Sequence, residues 1–289
     1  MKFTQPLAEI YIPDSIEVPA ALKRATTLIV GAHQDDAEFM GFSFIRDAYA
    51  TGKPSLGVVA MTDGAGSARA GAYANTTDLE MQAFRRREQR LAADIGRYAF
   101  VAQLQYPSSF VRKAEDATVD RELAALFEAT SAETIVTQNV VDRHDTHVAT
   151  ALRVIRAIKL MPAAKRPRRL LGAEGWRNLD WLPDKYKVRL DDGGHDSLAT
   201  ALMCVFDSQI AGGKNYAVGN AGRRHANATF DQSHAVDTST QLSFALDMTP
   251  LIQDDTLTVA AFVADILRTY EAEVFATLTR ANGGIELCK

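Results

Sequence analysis

The sequence predicts an α/β fold: a doubly wound, mostly parallel sheet with helices on both faces. Two observations carry that reading. Short β-branched or apolar runs alternate with helix-length segments through the first 160 residues, and the runs have the composition of buried parallel strands. Strands alternating with helices are the pattern of crossover units that cover a sheet from both sides. Residues 1–25, with Pro6, Pro13 and Pro19 among mixed polar residues, read as an extended arm. The run 26–32 (TTLIVGA) is the first buried strand and 56–61 (LGVVAM) the second, with a helix over 37–51 between them. A longer helical pattern runs from Thr77 to Gly96, where the glycine supplies a stop. Residues 98–105 then read as strand, 119–130 as helix, 133–137 as strand and 145–159 as helix. Beyond 160 the pattern weakens. There 170–173 and 186–190 are strand candidates, 197–209 and 257–273 helices, and the Gly/Asn/Ser-rich stretch 210–250 is expected to be a lid or substrate loop. The expected organisation is a single α/β domain over 1–289, with its core at 26–160 and a C-terminal extension carrying substrate loops at 161–289.

Composition narrows the function. At 289 residues, 47% hydrophobic and 24% charged, the chain is neither fibrous nor disordered, and it is long enough to bury a large core without a disulfide or structural metal. A metal would therefore be present for chemistry. The net charge of −4 offers no global attraction to nucleic acid or to an anionic membrane. Two cysteines, Cys204 and Cys288, form no framework, and no signal sequence or apolar run of membrane-spanning length is found, so a cytoplasmic location is expected.

The chemistry-bearing residues stand at predicted C-terminal strand ends, where ligands of such sheets bind. The first strand runs into His33-Gln34-Asp35-Asp36. His33 and Asp36, three apart, can aim a nitrogen and an oxygen at one metal ion and leave Asp35 free; a helix N-cap would need only one carboxylate. The other half lies in 140–150 (VVDRHDTHVAT), where His144 and His147, at i and i+3, share one face of a first helical turn. Three of six histidines thus follow predicted strand ends, while Asp142 and Asp145 fit capping roles. Catalytic zinc asks for three N/O ligands and an open position, which His33, Asp36 and His147 would supply. With no cysteine nearby and two imidazoles present, structural zinc and magnesium fit poorly, whereas another divalent transition metal fits the same donors. Asp35 then serves as proton acceptor and donor and His144 as partner of an oxyanion, which together specify hydrolysis of an amide or ester by metal-bound hydroxide.

These residues resemble the LmbE-like or PIG-L de-N-acetylases, zinc enzymes with a Rossmann-like core that act on N-acetylglucosamine-type sugars. The segment Ala32-His33-Gln34-Asp35-Asp36-Ala37-Glu38 looks like the family's AHPDDE motif, and His144-Asp145-Thr146-His147 like its HPDH motif. Thr62-Asp63-Gly64 is similar to its TxG segment, Arg85-x-x-Glu88 with Gly96 to its R-x-x-E…LG helix, and 206–209 to its late SQ element. The resemblance covers roughly 26–210. It implies His33, Asp36 and His147 as metal ligands, Asp35 as general base, His144 as electrostatic partner, and a homo-oligomer. Gln34 replaces the family's proline, Ala37 is inserted, and Thr146 stands in place of an Asp. If that Asp supports a ligating histidine, Asp145 or another residue must orient the imidazole here.

Weaker signals concern substrate. Arg85 is a candidate for substrate oxygens, although an RRREQR run usually forms a solvated helix face. Trp176 suits stacking on a sugar ring, although buried tryptophans are commoner. Residues 62–67 shape either a backbone nest or an ordinary turn. Arg223, Arg224, His225 and His234 read as surface residues, with a subunit or substrate contact as the alternative. The sequence therefore predicts a zinc-dependent hydrolase with one metal per chain, removing an N-acetyl group from a small amino sugar or its conjugate. The alternatives are an amidase of a larger acyl or thiol conjugate, a non-catalytic α/β ligand-binding protein, and a two-metal phosphoesterase, which would want more carboxylates.

Overall fold

The computed structural model describes residues 1–283, so Cys288 lies outside the described residues. The first half contains β1 (Glu9–Tyr11), α1 (Val18–Lys23), β2 (Thr27–Gly31), α2 (Asp36–Met40), α3 (Phe42–Thr51), β3 (Leu56–Thr62), α4 (Asp78–Gly96), β4 (Phe100–Tyr106), α5 (Ser108–Val111), α6 (Thr118–Glu128) and β5 (Thr134–Gln138). After it come α7 (Asp145–Leu160), β6 (Arg169–Ala173), β7 (Lys187–Asp191), α8 (Asp196–Cys204), α9 (Asp207–Ile210), α10 (Tyr216–Phe230), β8 (Leu242–Asp247), α11 (Pro250–Gln253) and α12 (Val259–Ala281).

All eight strands form one sheet in the order β1-β4-β3-β2-β5-β6-β8-β7. The strands β4, β3, β2, β5 and β6 run parallel, while β1 pairs antiparallel with β4, and β8 is antiparallel to both β6 and β7. The predicted α/β class with a mostly parallel sheet is what the chain adopts. Alternate residues of each strand enter opposite cores: Leu28, Val30, Val59 and Ile135 pack on one face with α6 and α7, and Ile29, Val58, Val101 and Val136 on the other with α3, α4 and α8. Both faces are covered, so each parallel strand is apolar on both sides.

Several boundaries differ from expectation for local reasons. The predicted helix 37–51 breaks at Gly41, where a Cβ would collide with the end of Ile29, so close packing on β2 forces the interruption. Helix α4 opens with a reciprocal capping box between Thr77 and Glu80, and the left-handed residue that stops it is Arg97, one position past the expected Gly96. The expected helix 197–209 divides into α8 and α9. The arm 1–25 is not extended throughout, since it contains edge strand β1 and helix α1, with Pro19 in the first turn.

The largest correction is 210–250, expected as a lid or substrate loop, which holds helix α10 and strand β8. Its Gly- and Asn-rich composition lowers helix propensity, but buried tethers compensate. Arg224 donates to the Glu38 and Phe39 carbonyls at 3.1 and 3.2 Å, and Asn227 donates to Glu174 at 2.6 Å. Arg224 is therefore a packing residue and not a surface one. Cys204 is free and exposed. No helix among the described residues is long and apolar enough to cross a membrane.

Candidate functional site

The site lies where the order of the parallel strands reverses, between β2 and β5. A Cβ on Gly31, the last residue of β2, would stand 2.7 Å from Asp36 Cβ, so the glycine lets the Asp36 side chain fold back over the strand end. There Asp36 Oδ2 accepts from the His33 backbone N–H and from Gln138 Nε2, each at 2.7 Å. His33 Nδ1 lies 3.4 Å from the same oxygen, and His147 Nε2 lies 3.5 Å from Asp36 Oδ1. His147 occupies the first turn of α7, whereas His144 has extended backbone and precedes the helix. The two were expected on one helical face; their rings nonetheless stand 4.5 Å apart, and each is 5.3 Å from the His33 ring. One ligand atom each from His33, Asp36 and His147 lie within 4.8 Å of one another, close enough to share an ion.

The donor set fits a cation. His147 Nδ1 stands 2.9 Å from Asp142 Oδ2, while Nε2 is buried with no hydrogen-bond partner. Asp142 also accepts backbone N–H bonds from Arg143, Trp176 and Arg177 at 2.6, 3.2 and 2.9 Å. Such a carboxylate accepts only, so Nδ1 donates to it, and the Nε2 lone pair is left facing Asp36 and His33. A buried lone pair beside a carboxylate calls for a cation or a proton.

Asp142 and Asp145 do not cap α7. The N-cap is His144, without a side-chain cap bond, and Asp145 is the first helical residue. The helix begins too late for Asp142 to reach its free N–H groups; the side chain orients His147 instead. This supplies the support that Thr146 lacks. Gly175 makes the arrangement accessible, because a Cβ there would lie 2.6 Å from Asp142 Oδ2 and 3.1 Å from His147 Nδ1.

Electrostatics separates the two neighbouring carboxylates. Burial alone would raise Asp36, but His147 and the hydrogen bond from His33 outweigh it and hold the carboxyl well below its usual range. Asp35 is pushed up to about 6 by burial, with Arg85 opposing the rise and Asp36 adding to it. Burial, reinforced by the charges of His147 and His33, lowers His144, whereas Asp36 and Asp142 overcome burial and raise His147.

Asp35 makes no helix-cap bond and holds φ at +89°, a costly conformation for a residue with a side chain. Its backbone N–H donates to Gln89 Oε1 at 3.2 Å, and its Oδ2 accepts from Arg85 Nη2 at 2.8 Å. Arg85, only 1% exposed, also donates to the Gln34 carbonyl and, at 3.2 Å, to Glu88 Oε2. Glu88 in turn accepts from the Ser208 N–H and hydroxyl, both at 2.7 Å. The structure thus sets Arg85 in the cavity wall with its terminal nitrogens on protein acceptors. Gln34, in the place of proline, donates to the Thr62 carbonyl at 2.9 Å and ties the turn to the end of β3.

His33, Asp35, Asp36, Arg85, His144 and His147 border a cavity of about 790 Å³. Trp176, 39% exposed, forms part of its wall, with its ring nearly parallel to that of His144 at 6.3 Å. Tyr216 stands edge-on to Trp176 at 6.1 Å. Sequence reasoning missed Gln138, Tyr216, Lys214 and Arg112 and gave Asp142 a different role. Only Asp142 carried a signal, since it shares one short run with both histidines. The arrangement combines a three-donor cation site, a carboxylate able to exchange a proton near neutrality, and an imidazole beside a cavity large enough for a sugar conjugate.

Residues 28–158 match the family described as PIG-L: GlcNAc-PI de-N-acetylase. No curated protein matches the chain in sequence. Among solved structures, the chain is similar to the conserved protein TT1542 from Thermus thermophilus at 18% identity and a TM-score of 0.60, covering 81% of this chain and 100% of that one. It is similar to N,N′-diacetylchitobiose deacetylase from Pyrococcus horikoshii at 15% identity and 0.62, covering 81% and 87%. GalB, the 4-carboxy-2-hydroxymuconate hydratase from Pseudomonas putida KT2440, is similar at 17% and 0.59, covering 77% and 95%. A hydratase and a deacetylase on one architecture show that fold alone does not choose the reaction. The fold, the strand-end histidines and carboxylates, and the sequence match agree that residues 28–158 form a domain of the PIG-L, or LmbE-like, de-N-acetylase family.

Proposed function

We propose that this protein is a metal-dependent N-deacetylase of an amino sugar or an N-acetylglucosamine-type conjugate. The observation that carries the reading is the meeting of His33 and Asp36 with His147, from turns more than a hundred residues apart, around an unpartnered buried His147 Nε2 with Asp35 alongside. The PIG-L domain and the likeness to a diacetylchitobiose deacetylase support the same reading.

His33, Asp36 and His147 would hold the ion, and zinc suits two imidazoles and one carboxylate. When bound, such an ion lowers the pKa of water and polarises an acyl carbonyl. Asp35 takes a proton from the attacking water and returns it to the amine nitrogen as the C–N bond breaks, releasing acetate and the free amino sugar. Arg85 holds Asp35 through Oδ2. His144, neutral at pH 7, donates an N–H to the oxyanion that forms on the acyl carbon.

The test pairs elemental analysis with acetate release from N-acetyl sugars, in the wild type and in His147→Ala. About one zinc per chain, lost together with activity in the variant, is the expected result. No affinity for divalent metal would overturn the proposal and leave a ligand-binding module as the better reading.

A further inference from the structure

Asp35 is gripped twice by one face of α4. Arg85 Nη2 donates to its carboxylate Oδ2 at 2.8 Å, and Gln89, one turn further along the helix, accepts the Asp35 backbone N–H on Oε1 at 3.2 Å. The first contact holds the side chain. The second holds the main chain, at the residue of the 33–36 turn whose φ is +89°.

Gln89 is itself fixed from behind. A backbone N–H only donates, so the Gln89 atom facing Asp35 is the carbonyl oxygen, and Nε2 is left to donate to Glu38 Oε1 at 2.9 Å. The same Glu38 oxygen accepts from the Tyr98 hydroxyl at 2.7 Å. Tyr98 has room to reach it because Gly96 carries no side chain; a Cβ there would collide with the tyrosine ring. The Glu38 main chain is tied as well, its carbonyl accepting from Arg224 at 3.1 Å. Glu38, Gln89 and Tyr98 are each at most 1% exposed, and none of the three borders the cavity, so none touches a molecule held there.

A residue with a Cβ rests at negative φ unless its surroundings forbid it. Return of Asp35 to that range would turn its Cα–Cβ bond and carry the carboxyl away from its place beside Arg85 and the cavity. We propose that Gln89 is a positioning residue for Asp35: set in place by Glu38 and Tyr98, it holds the Asp35 main chain in the left-handed conformation and thereby aims the carboxyl into the cavity. The role of that carboxyl as proton carrier rests on the deacetylase reading; the tether that places it does not.

The experiment follows two readouts in Gln89→Met, Glu38→Met, Glu38→Gln and Tyr98→Phe. The first is hydrogen exchange of the Asp35 amide, by NMR of the full-length protein with zinc added, compared with the β2 amides that report global unfolding. In Gln89→Met the Asp35 amide should exchange about tenfold or more faster, beyond any change in β2. The second is kcat and KM for acetate release from N-acetylglucosamine. A misplaced base slows the chemical step and leaves binding alone, so kcat should fall about ten- to a hundredfold in Gln89→Met, with KM and zinc content unchanged. Glu38→Gln, which keeps an oxygen for the Gln89 amide, should recover most of what Glu38→Met loses. Tyr98→Phe keeps the ring in the core, should shift both readouts less and in the same direction, and decides the matter if Gln89→Met does not fold. An Asp35 amide that gains no more than the β2 amides overturns the inference. So does an unchanged kcat, or a loss of activity that comes with loss of zinc or an equal rise in KM, which is what a merely structural role predicts. A wild type that releases no acetate overturns the deacetylase reading alone, and amide exchange still decides for or against the tether.

Discussion

Asp142 accepts the Nδ1 proton of His147 at 2.9 Å and thereby fixes which ring nitrogen faces Asp36. Removing the acceptor frees the imidazole to rotate and to change tautomer. Asp142→Ala should weaken zinc affinity by about 10–100-fold, measured by competition with a chromophoric chelator. Unchanged affinity would show that the ring is held by packing alone.

Asp35 and Asp36 are sequence neighbours with opposite electrostatic fates, one pushed up to about 6 and the other held low. Their substitutions should separate accordingly. Asp35→Asn should retain the metal and lose about 10²–10⁴-fold in turnover, as expected for loss of a general base, whereas Asp36→Asn should lose metal. Acetate release at the wild-type rate by metal-loaded Asp35→Asn would refute the assignment.

Arg85 compensates two buried carboxylates, those of Asp35 and Glu88. Breaking such a group by removing its single cation typically costs about 3–5 kcal/mol, because charge is left buried without a partner. Arg85→Met should show that loss in urea unfolding at pH 7, with Arg85→Lys between it and the wild type. A substrate-only role for Arg85 predicts little change in stability for either variant.

The Asp192–Arg224 pair, 3.2 Å apart with side chains 1% and 3% exposed, gives a pH prediction remote from the metal turns. Burial dominates on both sides, raising the Asp192 pKa and lowering that of Arg224, so each group is driven toward neutrality despite its partner. A carboxylate whose folded pKa exceeds its unfolded value contributes stability that is present below the unfolded pKa and lost as pH rises through the folded one. Asparagine does not titrate and avoids that loss. The penalty of Asp192→Asn in denaturant unfolding should therefore be larger near pH ~3.5 than at ~7. A penalty that grows with pH would contradict it.

The parallel strands β2 to β6 were legible because each is a local apolar run bounded by polar residues, needing no knowledge of its neighbours. His33, Asp36 and His147 were legible for a related reason: the first two directly follow such a run, His147 opens the helix after another, and the topology brings those strand ends together. What escaped was decided through space. Strand β1 has three residues and exists by pairing with β4, and β8 is enclosed between β6 and β7 by contacts that no local pattern announces. Helix α10 carries weak propensity and is secured by Arg224 and Asn227 reaching to distant partners. The orienting role of Asp142 depends on where α7 begins and on the loop after β6, and neither is visible in the residues around it.

Helix α10 divides its labour between adjacent positions. Arg224 turns inward to the main chain of α2, while Arg223, one residue earlier, turns to the cavity with Tyr216 and Gly219. Because the anchoring and lining residues occupy different sides of one cylinder, substitutions at 216, 219 and 223 can be accepted without loosening the attachment at 224. The helix is thus a cassette on which the cavity wall can be reshaped by single changes, with the histidine- and carboxylate-bearing turns at the strand ends left untouched.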